Sequence, residues 1–159
     1  MSIHTPQRPK IILEQALRIG IVASQYNALF VDAMLEEAQK ELRSLAPQVI
    51  IEIVRAPGAF EIPLLVKLLA ERQKPDAIIA LGVILRGKTA HADLIAQALT
   101  QALLQTSLDY SLPVIHEVLL LKNEKQANAR CLVGSMNRGA EAAQTALSAI
   151  QAAHNISLR

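Results

Sequence analysis

Cysteine occurs once, tryptophan not at all, and the aromatic residues are two Tyr and two Phe among 159 positions. A lone Cys131 excludes an internal disulfide framework and a cysteine-based zinc site. It reads as a small, buried or half-buried side chain and not as a nucleophile. So few aromatics leave no platform on which a single-stranded nucleic acid could stack. An excess of one charge is also missing, since 16 Lys and Arg stand against 14 Asp and Glu. That balance announces no polyanion partner. No uninterrupted apolar run approaches the length of a membrane span, and the stretch Met1 to Lys10 lacks the apolar centre of a secretory signal. The expectation is a soluble cytoplasmic protein with no nucleic-acid or membrane partner and no metal.

What the chain does have is aliphatic mass: 52% of it is hydrophobic and only 19% charged. A small domain of this kind either fills its core well or hides surface in an oligomer, and the oligomer is the expectation. The first 16 residues, with Pro6 and Pro9, read as an arm, and residues 17–159 as one domain.

Within that domain the pattern alternates. Arg18 to Ser24 is a short apolar run of strand length. From Ala28 to about Leu45, apolar residues recur at Val31, Met34, Leu35, Ala38 and Leu42, a helical stripe. Val49 to Val54 is rich in β-branched residues and follows Pro47, which predicts a second strand. Helical spacing returns at Ile62, Leu65, Val66 and Leu69. Asp76 to Val83 predicts a third strand, and a long helix follows from near His91. Pro113 opens a fourth strand running to about Leu121. Asn123 can cap the next helix, with Gln126 placed for a capping box. A break around Gly134 to Gly139 precedes an Ala-rich helix from Ala140 to about Ala153. Four apolar strands alternating with amphipathic helices imply a parallel sheet covered on both faces, a three-layer α-β-α fold.

In such a sheet, ligands bind outside the carboxyl ends of the strands. Four loops are thereby nominated: Ser24 to Asn27, Ala56 to Glu61, Leu85 to His91, and Leu120 to Asn123. Gly87, Lys88 and Thr89 lie just before a helix whose amides can hold a phosphate, with Gly87 permitting close backbone approach. The glycine spacing of a Walker A loop is absent, and a capped helix start with a solvated lysine fits equally well. His91 would sit at the positive end of the helix dipole, where a neutral imidazole can relay protons; a histidine without a task fits there too. Tyr26, beside Asn27, offers a face to a flat heterocycle or is an ordinary loop tyrosine. Ala59 and Phe60 bring backbone amides where a ring edge can be read, and Glu61 is a first-turn acid. Arg130 reads by default as a solvated arginine, and His116, in an otherwise apolar strand, as a satisfied core histidine.

Taken together, the loops are similar to one family. Pro57-Gly-Ala-Phe-Glu-Ile-Pro63, followed by Leu81-Gly-Val-Ile-Leu-Arg-Gly-Lys-Thr-Ala-His-Ala-Asp93, resembles the lumazine synthases. The segments Gly20 to Asn27, Pro113-Val-Ile115, Glu124 to Ala127, Arg130 and Asn137-Arg-Gly139 fall in that family's order, from roughly Arg18 to Ile150. The resemblance implies a four-stranded flavodoxin-like sheet and a reaction without a cofactor. In that reaction 5-amino-6-(D-ribitylamino)uracil condenses with 3,4-dihydroxy-2-butanone 4-phosphate to 6,7-dimethyl-8-ribityllumazine, the penultimate step of riboflavin biosynthesis.

By position, the resemblance makes His91 the proton-transfer residue and Gly87, Lys88 and Thr89 the phosphate loop. It places Tyr26 and Asn27 at the pyrimidine, Ala59, Phe60 and Glu61 along the pyrimidine and ribityl chain, and Val83, Ile84 and Leu85 beside the ring. Arg130 matches an arginine reaching phosphate from an adjacent subunit of a homopentamer. Twelve such pentamers form an icosahedral capsid in some members, and the lack of an insertion between Arg130 and Gly139 favours that shell. The chain departs from the family at His116, where phenylalanine is usual at the ring, and at Glu117, where glycine is common. Leu120-Leu121, Ala92 and Gly134 are further departures. The alternatives on the same fold are a non-catalytic flavin or lumazine carrier and a shell protein; an aldolase-like enzyme with Lys88 as Schiff base is a third.

Overall fold

Alternation with period two decides the layering. Along the first strand Ile19, Ile21 and Ala23 enter one core and Val22 the other, and along the third Ile79, Leu81 and Val83 oppose Ile78 and Ala80. A strand buried on both faces needs helices above and below it. The computed structural model of the chain describes residues 8–9, 16–132 and 137–157. They form β1 (Arg18–Ser24), α1 (Ala28–Leu45), β2 (Ile50–Ala56), α2 (Ile62–Gln73), β3 (Ala77–Leu85), α3 (His91–Asp109), β4 (Val114–Leu121), α4 (Glu124–Ala127), a π-helical turn (Asn128–Leu132) and α5 (Arg138–Ser157). The arm expected over residues 1–16 falls almost wholly outside the described residues, as do residues 134–136 of the expected break.

The sheet is four-stranded, all parallel, in the order β2-β1-β3-β4. The first core packs α1 and α5 on one face, through Met34, Ala38, Leu42, Ala142, Ala146 and Leu147. The second packs α2 and α3 on the other, through Ile62, Val66, Leu69, Leu99 and Leu103. The result is the three-layer flavodoxin-like arrangement. Because β1 leads outward to β2 while β3 leads the opposite way to β4, the loops leaving β1 and β3 diverge to opposite faces. A crevice at the carboxyl ends of these two neighbours follows from the topology. No helix among the described residues is long and apolar enough to cross a membrane.

Element ends differ from the pattern where a neighbour decides them. β2 continues past Val54 because Arg55 and Ala56 pair with Ala23 and Ser24 of β1. β3 reaches Leu85 because Ile84 and Leu85 pair with Leu120 and Leu121. α5 starts at Arg138 and not at Ala140, since the Asn137 side-chain oxygen accepts from the Gly139 amide (2.8 Å) and caps an earlier turn. Asn123 caps α4 by accepting from the Gln126 amide (3.1 Å), but Gln126 returns its side chain to the Lys122 amide (2.8 Å) and not to Asn123, so the capping box is not reciprocal.

Two contacts fix how the layers meet. At Gly139 a Cβ would fall on the carbonyl of Met34, so α5 approaches α1 backbone to backbone and only glycine fits. On the opposite face His116 ties β4 to α3. Thr100 donates its hydroxyl to the Ala96 carbonyl (2.7 Å), so it accepts from His116 Nε2 (2.7 Å), while His116 Nδ1 accepts from the Val118 amide (3.2 Å). Both ring nitrogens are thus satisfied only in the neutral Nε2–H tautomer. Burial lowers the pKa of the ring below the ordinary 6.5, as this arrangement requires.

Gly139→Ala is expected to cost about 3 kcal/mol or more, the upper end for overpacking against atoms that cannot move aside, read as a lowered urea midpoint. Gly87→Ala, where a Cβ would meet nothing within 4 Å, should leave that midpoint unchanged. For His116 the unfolded chain binds a proton more readily than the folded one. Stability is therefore full above pH 6.5 and falls as pH drops from there through the lower folded value. Denaturation midpoints measured from pH 8 to pH 5 should show this loss, and His116→Phe should flatten it; an unchanged slope would contradict the neutral tautomer.

Candidate active site

The crevice predicted by topology is present as a cavity of about 400 Å³, walled by Tyr26, Asn27, Gly58, Ala59, Phe60, Glu61, Val83, Ile84, Leu85, His91 and Ile95. Each strand end contributes a distinct part. After β1, Asn27 takes a left-handed conformation (φ 55°), which asparagine tolerates better than most residues. Its side-chain nitrogen donates to the Val83 carbonyl (2.7 Å). Asn27 thereby stitches the first loop to the end of β3. Ser24, buried, donates more weakly to the Tyr26 carbonyl (3.4 Å).

After β2, Pro57 and Gly58 turn the chain so that α2 begins at Ile62 with Pro63 in its first turn, where a missing amide costs nothing. Gly58 is buried under two of the site residues: a Cβ there would sit 2.8 Å from a Glu61 carboxylate oxygen and 3.7 Å from the Tyr26 ring. Tyr26 and Glu61 therefore flank one floor. Tyr26 is 72% exposed and Phe60 62%, so within one chain both aromatic faces are open.

After β3, Gly87, Lys88 and Thr89 form an exposed loop into α3, which starts at His91. The His91 amide donates weakly to Thr89 Oγ1 (3.5 Å). An Arg86–Asp93 ion pair (2.6 Å) closes the loop across its base; being half exposed, it contributes at most about 1 kcal/mol. The helix start leaves its first amides directed at the loop, the geometry of an anion site.

Arg130 and His116 are elsewhere. They line a second cavity of about 680 Å³ along the outer edge of β4, with Glu117, Leu119, Leu120, Gln126, Ala129 and Arg138. No residue is common to the two cavities. Arg130 stands in the π-helical turn Asn128–Leu132, a rare geometry that recurs at functional sites. The Asn137 side chain donates to the Cys131 carbonyl at the end of this turn. Cys131 itself is buried, and burial, more than the nearby Glu117, pushes its thiol up to about 11, so it stays protonated and unreactive.

One feature of the β4 cavity has no counterpart among the sequence expectations. Glu117 accepts a two-pronged pair from Arg138 (Nη2 2.9 Å, Nε 3.0 Å), and Arg138 also donates to Glu141. Burial lifts the Glu117 carboxyl above its usual value of 4.5, against the pull of Arg138. The signal was available: an acid within an apolar strand requires a cationic partner, though its identity lay 21 residues away. Gly58 lines the crevice as the turn glycine of the nominated Ala56 to Glu61 loop, and Ile95 joins it as an apolar residue of α3 that no motif distinguishes. Among the described residues, no group of three or more His, Cys, Asp or Glu can hold a metal ion. A third cavity, of about 490 Å³, opens at the opposite, amino-terminal end of the strands between Pro75, Tyr110, Pro113 and His154, away from the ligand end of a parallel sheet.

Comparison with known proteins identifies the family. The family model described as 6,7-dimethyl-8-ribityllumazine synthase matches residues 16–154. A protein of that name from Halorhodospira halophila is 36% identical over 139 residues, covering 87% of this chain and 89% of the relative. Another from Thermococcus kodakarensis is 38% identical over 135 residues, covering 84% of each. Matched from before β1 nearly to the end of α5, with every strand-end loop included, the chain belongs to the 6,7-dimethyl-8-ribityllumazine synthase family.

Proposed function

We propose that this protein condenses 5-amino-6-(D-ribitylamino)uracil with 3,4-dihydroxy-2-butanone 4-phosphate to 6,7-dimethyl-8-ribityllumazine, releasing phosphate and water. The observation that carries this reading is the crevice at the ends of β1, β2 and β3. It combines an open aromatic face, a floor of Ala59 to Glu61 and a helix start able to hold phosphate beside a histidine.

The pyrimidine lies against Tyr26 and Phe60, with its edge toward the backbone of Ala59, Val83, Ile84 and Leu85. Asn27 shapes this wall through its bond to Val83. The ketone phosphate is held by Gly87, Lys88 and Thr89, which places its carbonyl next to the pyrimidine amine. That amine adds to the ketone and water leaves, giving an imine between the two substrates. Phosphate is eliminated, the enol tautomerises, and the ribityl-bearing nitrogen closes the ring with loss of a second water. His91, adjacent to the phosphate loop, takes and returns the protons of these steps. Most of the acceleration comes from holding two reactants in register.

The site is completed by a neighbouring copy of the chain. Arg130 and His116 lie in a cavity separate from the crevice, and the crevice aromatics are open in the single chain. Juxtaposing the β4 edge of one copy with the crevice of the next brings Arg130 to the phosphate and His116 to the ring. A homopentamer, alone or as part of a 60-subunit shell, has the rotational closure that such a head-to-tail contact requires.

With both substrates present, a fluorescent lumazine should form faster than in the uncatalysed mixture; formation at only the background rate would favour a carrier. His91→Ala is expected to lower kcat roughly 100-fold and leave the light-scattering mass unchanged. Arg130→Ala should raise the KM for the phosphate substrate about tenfold or more, the scale of one charged hydrogen bond, and leave that for the pyrimidine within about twofold. An unchanged phosphate KM would remove Arg130 from the site.

A further inference from the structure

A carboxylate on the wall of a cavity that is to receive a phosphate is a liability, and Glu117 is one. It lies on β4, 7% exposed, facing the cavity that Arg130 and Arg138 also line. It repels an anion, and it offers Arg130 an intramolecular partner in place of the ligand. We propose that Arg138 is a positioning residue that locks Glu117 and so keeps the guanidinium of Arg130 available for the phosphate ester. This rests on the reading of Arg130 given above.

The geometry divides the two arginines sharply. Arg138 engages both oxygens of Glu117 through Nε and Nη2 (3.0 and 2.9 Å) and gives Nη1 to Glu141 in the first turn of α5. A guanidinium held at three nitrogens by two carboxylates has little charge or donor capacity left for a ligand. Arg130 is the reverse case. It is half-buried on the π-helical turn, and no hydrogen bond or ion pair holds it among the described residues. It lines the same cavity wall as Glu117, where its charge favours the ionised carboxyl, so it is the next cation in line for that carboxylate. Arg138 fills the carboxylate first, because the planar fork matches both oxygens at once. The pair also anchors β4 to the start of α5.

The test is a double-mutant cycle in the full-length protein, with kcat, both KM values and competitive inhibition by inorganic phosphate as readouts. In Arg138→Gln the freed Glu117 captures Arg130. The KM for the phosphate ester and the inhibition constant of phosphate should both rise about tenfold or more, with the pyrimidine KM within about twofold. Adding Glu117→Gln to that variant removes the competing carboxylate and should return both phosphate readouts to within about threefold of the starting protein. A purely structural anchor, or an Arg138 that itself touches phosphate, would leave the double variant as impaired as Arg138→Gln, and that result would overturn the lock. Should Arg138→Gln not fold, Glu117→Gln alone and the double variant decide, and weakened phosphate binding in either refutes the proposal. Arg130→Ala separates the two levels. If it leaves phosphate binding unchanged, the reading of Arg130 fails; if it weakens binding while Arg138→Gln does not, only the lock fails.

Discussion

The hydrogen bond from the Asn27 side chain to the Val83 carbonyl joins the two strand ends that the topology sends to opposite faces. Crossovers that reverse direction between β1 and β3 leave a gap at their carboxyl ends, and an unbridged gap would let the first loop drift. Asn27 spans it from a left-handed backbone position. Tyr26 is thereby held over Gly58 and next to Glu61, while Val83 to Leu85 stay level with His91. The crevice is a product of the sheet's connectivity, and the Asn27 amide is one of the contacts that keep it in shape.

The β4 edge follows a different logic. There the chain carries groups unusual for an apolar strand, and each is satisfied separately. His116 is neutral and bonded at both nitrogens, and Glu117 is bonded at both oxygens. Buried polar groups that are fully paired rigidify their surroundings, whereas half-paired ones weaken them. Among the described residues, the charged side chain on this wall left without a hydrogen bond or ion pair is Arg130, the group the proposed chemistry needs. The proposed completion of the site by a neighbouring copy rests on the separation of the two cavities.

Most of the architecture could be read from the residues, because hydrophobic period reports directly on burial. The runs around Ile19, Ile51, Ile79 and Ile115 became strands, and the stripe from Val31 to Leu42 became the buried face of α1. Where expectation and structure part, pairing is responsible: β2 and β3 extend as far as their neighbours do. The same holds for the site. Loop residues carrying unusual chemistry, such as Tyr26, Phe60 and His91, were visible because nothing in their local pattern demanded them.

The sequence by itself determined the order of strands and helices, the family, and the identity of the groups at the strand ends, since all of these depend on local composition and spacing. Tertiary structure alone decided which groups meet. His116 finds Thr100 on α3, Glu117 finds Arg138 on α5, and Gly139 is needed because the backbone of Met34 lies against it. These partners are distant along the chain, and a pairing set by through-space geometry leaves no periodic trace in the order of residues.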